Sequence, residues 1–523
     1  MADPFVDQQF TSGTTITSDW LNGINDTVLE HTGDITTIET DISDLTADMA
    51  LLAADIVALG LEIDVVDLQL DTYVADQAAL DASAPKVRTV NTIAELRALS
   101  PTNFKSVYVR GYYAAGDGGG GHYWYDSSDT TSTENGGTLI IGASSSRWKL
   151  QYFGIVSVKQ FGAKGDGTTD DSGTLQAALT ALNNTTLTDL YFPAGSYRTT
   201  TQLSIANKKF KLIGAGRQIT KIQAEQLSGV SLFVSNTDYT QYGHIEGMTF
   251  TTNQINQVDA LSITYGEADA TNNRIQDRLT LRDLQFFGSV FGVVGHKRGI
   301  LLTNVHAAIL EDINIAGENY AVGMDAGIEL NSSGTGAPSD FVLHNVKVYY
   351  AIVGLKGSGH LEGVNISQCF FIAVQKGVSI SLSTTFPWFS MSQCHVNATQ
   401  IGIHLENFPQ SFISDNLIYL VNTSVFNPIG IALYNCSDTI VTNNNVVNPA
   451  IGTATAVIGI YTTNALRVKL ANNKVAGYHF GYWIDGTSDL TRTFDNEAST
   501  PYAGAVGYNM TASGGGNVVR NTP

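Results

Sequence analysis

The feature that most constrains the fold is a short phrase that recurs through the second half of the chain. Each copy is a glycine, an apolar residue, a variable residue and usually a second apolar residue. The copies begin 22 to 29 residues apart, at Gly299, Gly327, Gly354, Gly377, Gly402, Gly430, Gly459 and Gly481. Repeats of this length are typical of stacked architectures. Apolar residues on both sides of a variable one predict a β-strand with one buried face.

A second series of small or turn-forming residues lies between these phrases, and each member precedes another short strand pattern. Its members are Asp283, Asp312, Asn345, Cys369, Cys394, Asn416, Asn444 and Asn473. Asn, Asp and Gly tolerate the left-handed conformation that a tight corner requires. Strands and corners at this period predict a mainly β fold, a right-handed parallel β-helix over residues 160–510 with the glycine phrases in register. A β-sandwich or a propeller is the alternative, but propeller blades need repeats of about 40 residues or more.

In a stacked β-helix the variable residues of the phrases face solvent and form two columns on one long sheet. The first column reads Leu301, Glu329, Lys356, Ser379, His404, Ala432, Tyr461 and Trp483. The second reads Thr303, Asn331, Ser358, Ser381, Glu406, Tyr434, Thr463 and Asp485. Aromatic rings stack on sugar faces and carboxylates transfer protons. The whole face predicts a surface for an extended polysaccharide, although a single residue of this kind is more often an ordinary solvated side chain.

Two reactions fit these residue types. Glycoside hydrolysis needs two carboxyl groups, about 5–5.5 Å apart for retention or about 6.5–9.5 Å apart for inversion. A polysaccharide lyase needs a base at the sugar C5 and a cation or hydrogen bond on the uronate carboxyl. The candidate catalytic residues are Glu329, Glu406, His404 and Asp325, and the candidate substrate-binding residues are Tyr434, Tyr461, Trp483, Asp485 and Lys356. The sequence leaves the choice between lyase and hydrolase open.

The spacing of the two glutamates limits how they can act. Glu329 and Glu406 lie three coils apart, about 14 Å along the axis, so they cannot form one catalytic pair. Glu329 is expected to pair with Asp325 or with Asp340, and Glu406 is expected to pair with Asp415 on the way to the next coil.

The formal charge of −20 is concentrated at one end. No Lys or Arg occurs before Lys86, and residues 1–85 contain 17 Asp and Glu, which leaves 31 acids against 28 bases in the remainder. This balance argues against a nucleic-acid partner. The densest basic cluster, His296-Lys297-Arg298, is a candidate for neutralising uronate carboxylates. No run of ~20 apolar residues predicts a membrane span, and residues 1–10 lack the pattern of a signal peptide.

Residues 21–82 follow a heptad pattern that predicts a coiled coil. Ile and Leu are mixed at the a and d positions, so the core does not decide between two and three strands. Four acidic g positions have no basic partners at e, so like charges crowd the seam; they are Asp41, Asp48, Asp55 and Glu62.

Residues 86–153 predict a small α+β or β module. A helix is expected over 92–99, and strands are expected over 107–109, 122–125, 138–141 and 147–150. The glycine run Gly116–Gly121 precedes a strand and lacks the Gly-Lys-Ser/Thr that follows a phosphate loop, so it is expected to be a turn. The three cysteines, Cys369, Cys394 and Cys436, are expected to be small buried side chains rather than disulfide partners or metal ligands.

The start of the predicted β-helix has a recognisable order of motifs. Phe161–Asp171 precedes a helix, and the turns Pro193–Tyr197 and Gly214–Gly216 follow. This order resembles the entry to the pectate-lyase-like β-helix superfamily, in the form found on bacteriophage tailspikes, and residues 86–153 resemble a module that precedes such β-helices. The resemblance covers roughly residues 86–510 and implies the fold more strongly than any one reaction. Asp166, Asp170 and Asp171 flank the helix start and are expected to cap its N–H groups rather than to bind a metal.

The resemblance implies a homotrimeric phage tailspike that acts at the bacterial cell surface. Residues 1–20 would attach to tail proteins of the virion, residues 21–82 would join the strands, and 511–523 would be a C-terminal tail. Residues 154–510 would bind and cleave bacterial capsular or O-antigen polysaccharide. No cofactor, metal, nucleic acid or inserted membrane segment is expected. The main alternative is a non-catalytic receptor-binding spike for the same polysaccharide. A structural adhesin of a bacterium is a weaker alternative, because it should carry an export signal and residues 1–10 lack the pattern of one.

Overall fold

A computed structural model describes most of the chain. The described residues are 18–81, 87–102, 104–236, 241–266, 279–290, 293–318, 323–333, 338–421, 427–449, 457–499, 506–511 and 517–520. The contacts divide the chain after Lys86 into two units. Residues 1–17 of the predicted attachment tip, and most of the predicted tail at 511–523, lie outside the described residues. No described helix is long and apolar enough to cross a membrane.

The first unit contains one α-helix, α1, from Ser18 to Asp81. The apolar side chains that the structure describes at its heptad a and d positions, among them Ile35, Ile42 and Leu45, are more than half exposed. An exposed apolar stripe on a single helix is the surface that a coiled-coil seam would bury. The helix is therefore present as expected, and its association with other copies stays a prediction.

The second unit begins with a five-stranded sheet in the order β1-β2-β3-β5-β4. Its strands are β1 (Arg88–Val90), β2 (Ser106–Val109), β3 (Gly121–Tyr125), β4 (Leu139–Ile141) and β5 (Arg147–Leu150). The short helix α2 (Ile93–Ala98) begins after Thr92, whose side chain accepts a hydrogen bond from the Glu95 N–H. The predicted helix and strands are confirmed here. The glycine run is a turn, because the Asp117 carboxylate accepts hydrogen bonds from four backbone N–H groups around it.

The remaining strands wind into a parallel β-helix with three sheets. The front sheet consists of β10 (Leu203–Ala206), β13 (Gly229–Asn236), β15 (Val258–Tyr265), β17 (Arg298–Thr303), β20 (Met324–Asn331), β23 (Ala351–Gly359), the second halves of β25 (Phe370–Leu382) and β27 (His395–Glu406), β30 (Ile429–Tyr434), β33 (Ile458–Thr463), β36 (Phe480–Asp485) and β39 (Val506–Met510).

The side sheet follows the front sheet in each coil. It consists of β6 (Ile155–Ser157), β8 (Asp189–Phe192), β11 (Phe210–Gly214), the first halves of β14 (Gly243–Thr252) and β16 (Leu279–Gly288), β18 (Ala308–Glu311), β21 (Phe341–His344), β24 (Val364–Ser367), β26 (Phe389–Ser392), β28 (Phe412–Ser414), β31 (Ile440–Thr442), β34 (Lys469–Ala471), β37 (Arg492–Phe494) and β40 (Val518–Arg520).

The rear sheet completes each coil. It consists of β7 (Asp166–Asp170), β9 (Gly195–Thr199), β12 (Thr220–Ala224), the second halves of β14 and β16, β19 (Asn314–Ala316), β22 (Lys347–Tyr349), the first halves of β25 and β27, β29 (Leu417–Leu420), β32 (Asn445–Val447), β35 (Lys474–Ala476) and β38 (Glu497–Ser499).

The glycine phrases stack in register, as the repeat predicts. Ile328, Leu355, Val378 and Ile403 pair with one another on successive coils, so the glycines before them are aligned. A Cβ atom placed on Gly402 would lie 2.5 Å from the carbonyl oxygen of Gly430 and 2.4 Å from the Ile418 side chain. Glycine is required here because the neighbouring coil approaches too closely for any side chain.

The corner between the side and rear sheets differs from the prediction in five coils. In the first three coils the residues with left-handed backbone conformation are the expected ones, Asp283, Asp312 and Asn345. In the next five coils they are instead Gln368, Gln393, Asp415, Asn443 and Asn472. In these later coils the expected residues, from Cys369 to Asn473, lie one position further on and are buried. The physical reason is that these buried residues satisfy backbone groups inside the β-helix.

The buried residues form a continuous hydrogen-bonded ladder. The Asn444 side chain accepts from the Asn416 N–H at 3.1 Å, and the Asn473 side chain accepts from the Asn444 N–H at 3.0 Å. Asn496 continues the ladder beyond Asn473, and Cys394 continues it in the other direction. All three cysteines are free and buried, as expected.

Helix α3 (Ser172–Ala181) lies at the beginning of the β-helix and buries Leu175, Ala178 and Leu179. Of the three aspartates predicted to cap this helix, only Asp170 accepts from a helical N–H, that of Ser172 at 3.0 Å. The Asp166 carboxylate accepts from the Thr168 and Thr169 N–H groups before the helix. The Asp171 carboxylate instead accepts from the N–H groups of Lys164 and Gly165, in the loop before the helix.

Candidate functional site

The two predicted columns lie side by side on the front sheet. Strand pairing aligns the first column from Leu301 through Glu329 to Trp483, and it aligns the second from Thr303 through Glu406 to Asp485. Most of these side chains are half-buried, since each lies against its neighbours one coil away. The exceptions include Lys356, which is exposed, and Ala432, which is buried.

Glu329 lies in a network of ion pairs. Its carboxylate accepts from Arg298 at 3.1 Å and from Lys356 at 2.9 Å, and the residue is 8% exposed. Arg298 also binds the buried Asp259 through two nitrogens, at 2.7 and 2.9 Å. Burial acts to raise the Glu329 pKa, but hydrogen bonds and attraction from Lys356 and Arg298 outweigh it and hold this pKa below its usual range. Glu329 is therefore a fixed carboxylate that lacks a proton to donate at neutral pH.

His404 is the centre of a second cluster, two coils from Lys356. Its Nδ1 lies 3.2 Å from the Ser379 hydroxyl. Burial and the charge of Lys376 lower the His404 pKa, and the opposing attraction of Glu406 is weaker. The imidazole is consequently neutral at neutral pH and has a lone pair available to accept a proton.

Tyr434 connects this cluster to a row of aromatic rings. Its ring meets His404 edge-on at a centroid distance of 5.2 Å and lies 5.4 Å from the ring of Tyr461. Burial, with smaller effects from Tyr461 and Glu406, raises the Tyr434 pKa, so the phenol stays protonated. The row continues from Tyr461 to Trp483 at 5.7 Å. In the first column the residue between His404 and Tyr461 is the small Ala432, which precedes Tyr434 by two residues on the same strand.

The end of the row is held by hydrogen bonds around Asp485. The carboxylate accepts from the Thr511 hydroxyl at 2.7 Å and from the Tyr461 hydroxyl at 3.4 Å, and the Trp483 indole donates to Thr511 at 3.1 Å. The bond from Thr511, followed by the Gly486 N–H, lowers the Asp485 pKa. These contacts fix the orientation of the last two rings.

The expected carboxylate partners lie elsewhere. Asp325 is exposed and precedes Glu329 by four residues on the same strand, a separation of about 13 Å. Asp340 lies in the turn before the side sheet, and Asp415 occupies the corner beyond that sheet, where it accepts from the Asn443 amide. Glu406 instead accepts from the Ser381 hydroxyl. The structure thus unites His404, Glu406 and Tyr434, but not the proposed pairs of acids.

Sequence reasoning missed several members of these clusters. Asp259 lies on β15, before the first recognised glycine phrase, so the repeat gave no signal for it. Ser379 stands in the first column, where its position alone predicts no role, and Lys376 precedes its glycine phrase by one residue. Of the basic run, His296 is fully buried and Arg298 is bound to carboxylates, so neither side chain is available to a uronate.

Family models match the five-stranded sheet and the β-helix separately. Residues 89–153 match the phage tail protein small four-stranded beta-sheet domain, and 155–379 match the rhamnogalacturonase A/epimerase, pectate lyase-like family. A segment similar to a phage-tail domain therefore precedes a segment similar to pectate-lyase-like proteins, at the boundary where the five-stranded sheet gives way to the β-helix. Residues 344–522 also match the periplasmic copper-binding protein NosD family.

Individual proteins that resemble this chain are distant from it in sequence. Alginate lyase 7 of Azotobacter vinelandii is 31% identical over 163 residues, which cover 28% of this chain and only 18% of that protein. A tailspike of an Acinetobacter phage has a TM-score of 0.53 at 13% identity, covering 84% of this chain and 75% of that one. The A-module of a mannuronan C-5 epimerase from Azotobacter vinelandii has a TM-score of 0.47 at 17% identity, covering 70% of this chain and 99% of that one.

Proposed function

We propose that this protein is a phage tailspike that binds an acidic bacterial polysaccharide along the front sheet and cleaves it by β-elimination. The observation that carries the proposal is the contact between a neutral imidazole, His404, and a protonated phenol, Tyr434. One group of the pair can take a proton and the other can give one, which is the requirement of the reaction.

The proposed step uses both groups on one sugar. The Nε2 of His404 takes the proton from C5 of a uronate, while Nδ1 is held by Ser379. The electrons of the broken C–H bond form the C4–C5 double bond, and the C4–O glycosidic bond breaks. The departing oxygen takes the phenolic proton of Tyr434. The products are a new chain end and an unsaturated uronate, and no oxidant or co-reactant is consumed.

The surrounding residues would hold the substrate. Lys376 is close enough to His404 to lower its pKa, so its charge would also stabilise the uronate carboxylate when the C5 proton leaves. Tyr461 and Trp483 would stack on the sugars that follow, and Asp485 would accept hydrogen bonds from sugar hydroxyls. Lys356, with 46% of its side chain exposed, would contact an acidic sugar on the other side.

The arrangement of the carboxylates favours elimination over hydrolysis. Hydrolysis needs two carboxyl groups within about 9.5 Å of each other. Among the described residues of the two columns, Glu406 lies three coils, about 14 Å, from Glu329 on one side and from Asp485 on the other. Asp259 is closer to Glu329, but both bind Arg298. Within the described part of the two columns Glu406 therefore has no partner acid, and we assign it the role of holding the Ser381 hydroxyl beside Tyr434.

The comparisons with known proteins support both a location on a phage tail and an elimination reaction. A phage-tail domain precedes the β-helix, and the curated relative carries the name alginate lyase, which describes elimination on a polyuronate. On this proposal the protein is carried on the virion tail, and its substrate is a capsule or O-antigen that contains a uronate.

Product chemistry tests the proposal. The full-length protein is incubated with a panel of purified capsular and O-antigen polysaccharides, and both ultraviolet absorbance and reducing ends are followed. Elimination predicts that ultraviolet absorbance and reducing ends rise together. Reducing ends without absorbance would show hydrolysis and would restore Glu406 as the candidate acid or base. Saturable binding without chain shortening on every substrate would show a receptor-binding spike.

A further inference from the structure

A basic depression on the side sheet is separate from the site described above. It has a volume of about 510 Å³ and is lined by Arg467, Val468, Lys469, Leu490, Arg492 and Phe494. Ligand pockets in proteins commonly have volumes of about 300–1,000 Å³. The depression is therefore large enough for a ligand bigger than a simple inorganic ion.

Two cations stand next to each other in this depression. Lys469 pairs with Arg492 on the adjacent strand, so their side chains leave the sheet about 4.8 Å apart. Both residues are exposed, and neither forms an ion pair within the described part of the chain. The undescribed segments after residue 421 contain no Asp or Glu. Like charges at neighbouring positions repel each other, and an anion bound between them would relieve that repulsion.

Arg467 provides a contrast within the same depression. Its guanidinium binds Asp438 through two nitrogens, at 2.5 and 2.6 Å, so its charge is already neutralised. The unbalanced positive charge therefore belongs to Lys469 and Arg492. It stands out in a chain whose formal charge is −20.

Apolar residues form the rest of the lining of the depression. Leu490 is 42% exposed, and Phe494 is half-buried beside Ala471, its small neighbour on the adjacent strand. A ligand that fits must present an anionic group and an apolar face together. An acidic sugar does so, because its ring has an apolar face and its carboxylate accepts two parallel hydrogen bonds from an arginine.

We infer that this depression is a second, non-catalytic site for an acidic saccharide, and the choice of ligand class rests on the proposed function. The site lies on the same two coils as Tyr461 and Trp483, around the turns 464–468 and 486–491 from the front sheet. An acidic chain could thus be held at the side sheet while another stretch of polysaccharide lies on the front sheet.

Calorimetric titration tests the inference on full-length protein carrying His404→Ala, which keeps the probe from being cleaved. The probes are an oligogalacturonate hexasaccharide, a neutral maltohexaose and inorganic sulfate. The double variant Lys469→Ala/Arg492→Ala is compared with the charge-matched control Lys474→Ala/Arg282→Ala, whose residues are exposed on the rear and side sheets.

We expect saturable binding of the oligogalacturonate, at least tenfold weaker in the double variant and unchanged in the control, with no binding of maltohexaose. Trp483→Ala should leave this component intact, which separates it from binding on the front sheet. Equal binding by the double variant and the control would overturn the inference. Binding of sulfate alone, absence of binding to any probe, or a changed oligomeric state of the double variant would also overturn it.

Discussion

Substitution of Asn444 by alanine tests whether the internal ladder stabilises the β-helix. Asn444 is 1% exposed, and its carboxamide makes contacts on both neighbouring coils. It accepts from the Asn416 N–H at 3.1 Å, and its own amide donates to the Ile413 carbonyl at 2.9 Å and to the Asn473 side chain at 2.9 Å. Alanine removes all of these bonds and brings in no replacement.

The expected cost follows from the groups left unpaired. The Asn416 N–H and the Ile413 carbonyl would each lose this partner inside the β-helix, and a buried unsatisfied group costs about 1–3 kcal/mol. Asn444→Ala should therefore lower the free energy of unfolding by about 2–6 kcal/mol. The neighbouring Asn443 is an ideal control, because it is exposed and has a positive φ of 57°. Asn443→Gly keeps that conformation accessible and should change stability by less than about 1 kcal/mol.

Guanidinium titrations followed by circular dichroism measure both effects, since the shift in midpoint multiplied by the slope gives the change in free energy. The reasoning would be refuted if Asn444→Ala and Asn443→Gly unfolded at the same denaturant concentration. That result would mean that the ladder fills space without stabilising the coils through its hydrogen bonds.

Four further predictions concern charge, binding and assembly. Lys376→Met should raise the His404 pKa, so the acidic limb of the kcat/KM profile should move to higher pH; an unmoved limb would contradict this assignment. Glu329 has a lowered pKa, so its stabilising effect is present above its unfolded pKa and disappears as the pH falls through the folded value. Glu329→Gln should accordingly be less stable than the wild type at pH 7 and closer to it in acid, as thermal unfolding at several pH values would show. Trp483→Ala should weaken polysaccharide binding by roughly 1–3 kcal/mol, by analogy with bases that stack on aromatic rings, and calorimetry would measure the loss. The segment 21–82 should associate more strongly at pH 4 than at pH 7 in low salt, because protonation removes repulsion between its acidic g positions, and sedimentation would reveal equal or weaker association if the argument is wrong.

The glycine phrases made most of the fold predictable. The next coil leaves no room for a side chain at positions such as Gly402. Because these positions must be glycine, they reveal the register of the coils, and the register predicted both columns correctly. The corners were harder to place because two different requirements act on adjacent residues. The left-handed position accepts Gln368 and Gln393, which are not typical turn residues, while the position after it selects Cys or Asn for their contacts inside the β-helix.

The candidate site was only partly predictable. Register brought His404, Glu406 and Tyr434 together correctly, because their columns depend on the repeat alone. The role of Glu329 could not be read from the sequence, since it depends on the contact of Arg298 with Asp259, whose coil precedes the first recognised glycine phrase. The expected pair of Glu406 and Asp415 does not form because a strand of the side sheet separates the two residues, and the repeat does not predict the length of that strand.

The central claim is that His404 removes a proton from the polysaccharide. The most direct measurement is the rate at which ultraviolet-absorbing product forms from a cleaved capsule, compared between wild type and His404→Ala, with polysaccharide binding measured on the same samples. The account predicts that His404→Ala lowers this rate by about 100-fold or more while binding is retained. Product formation by His404→Ala at the wild-type rate would contradict the account.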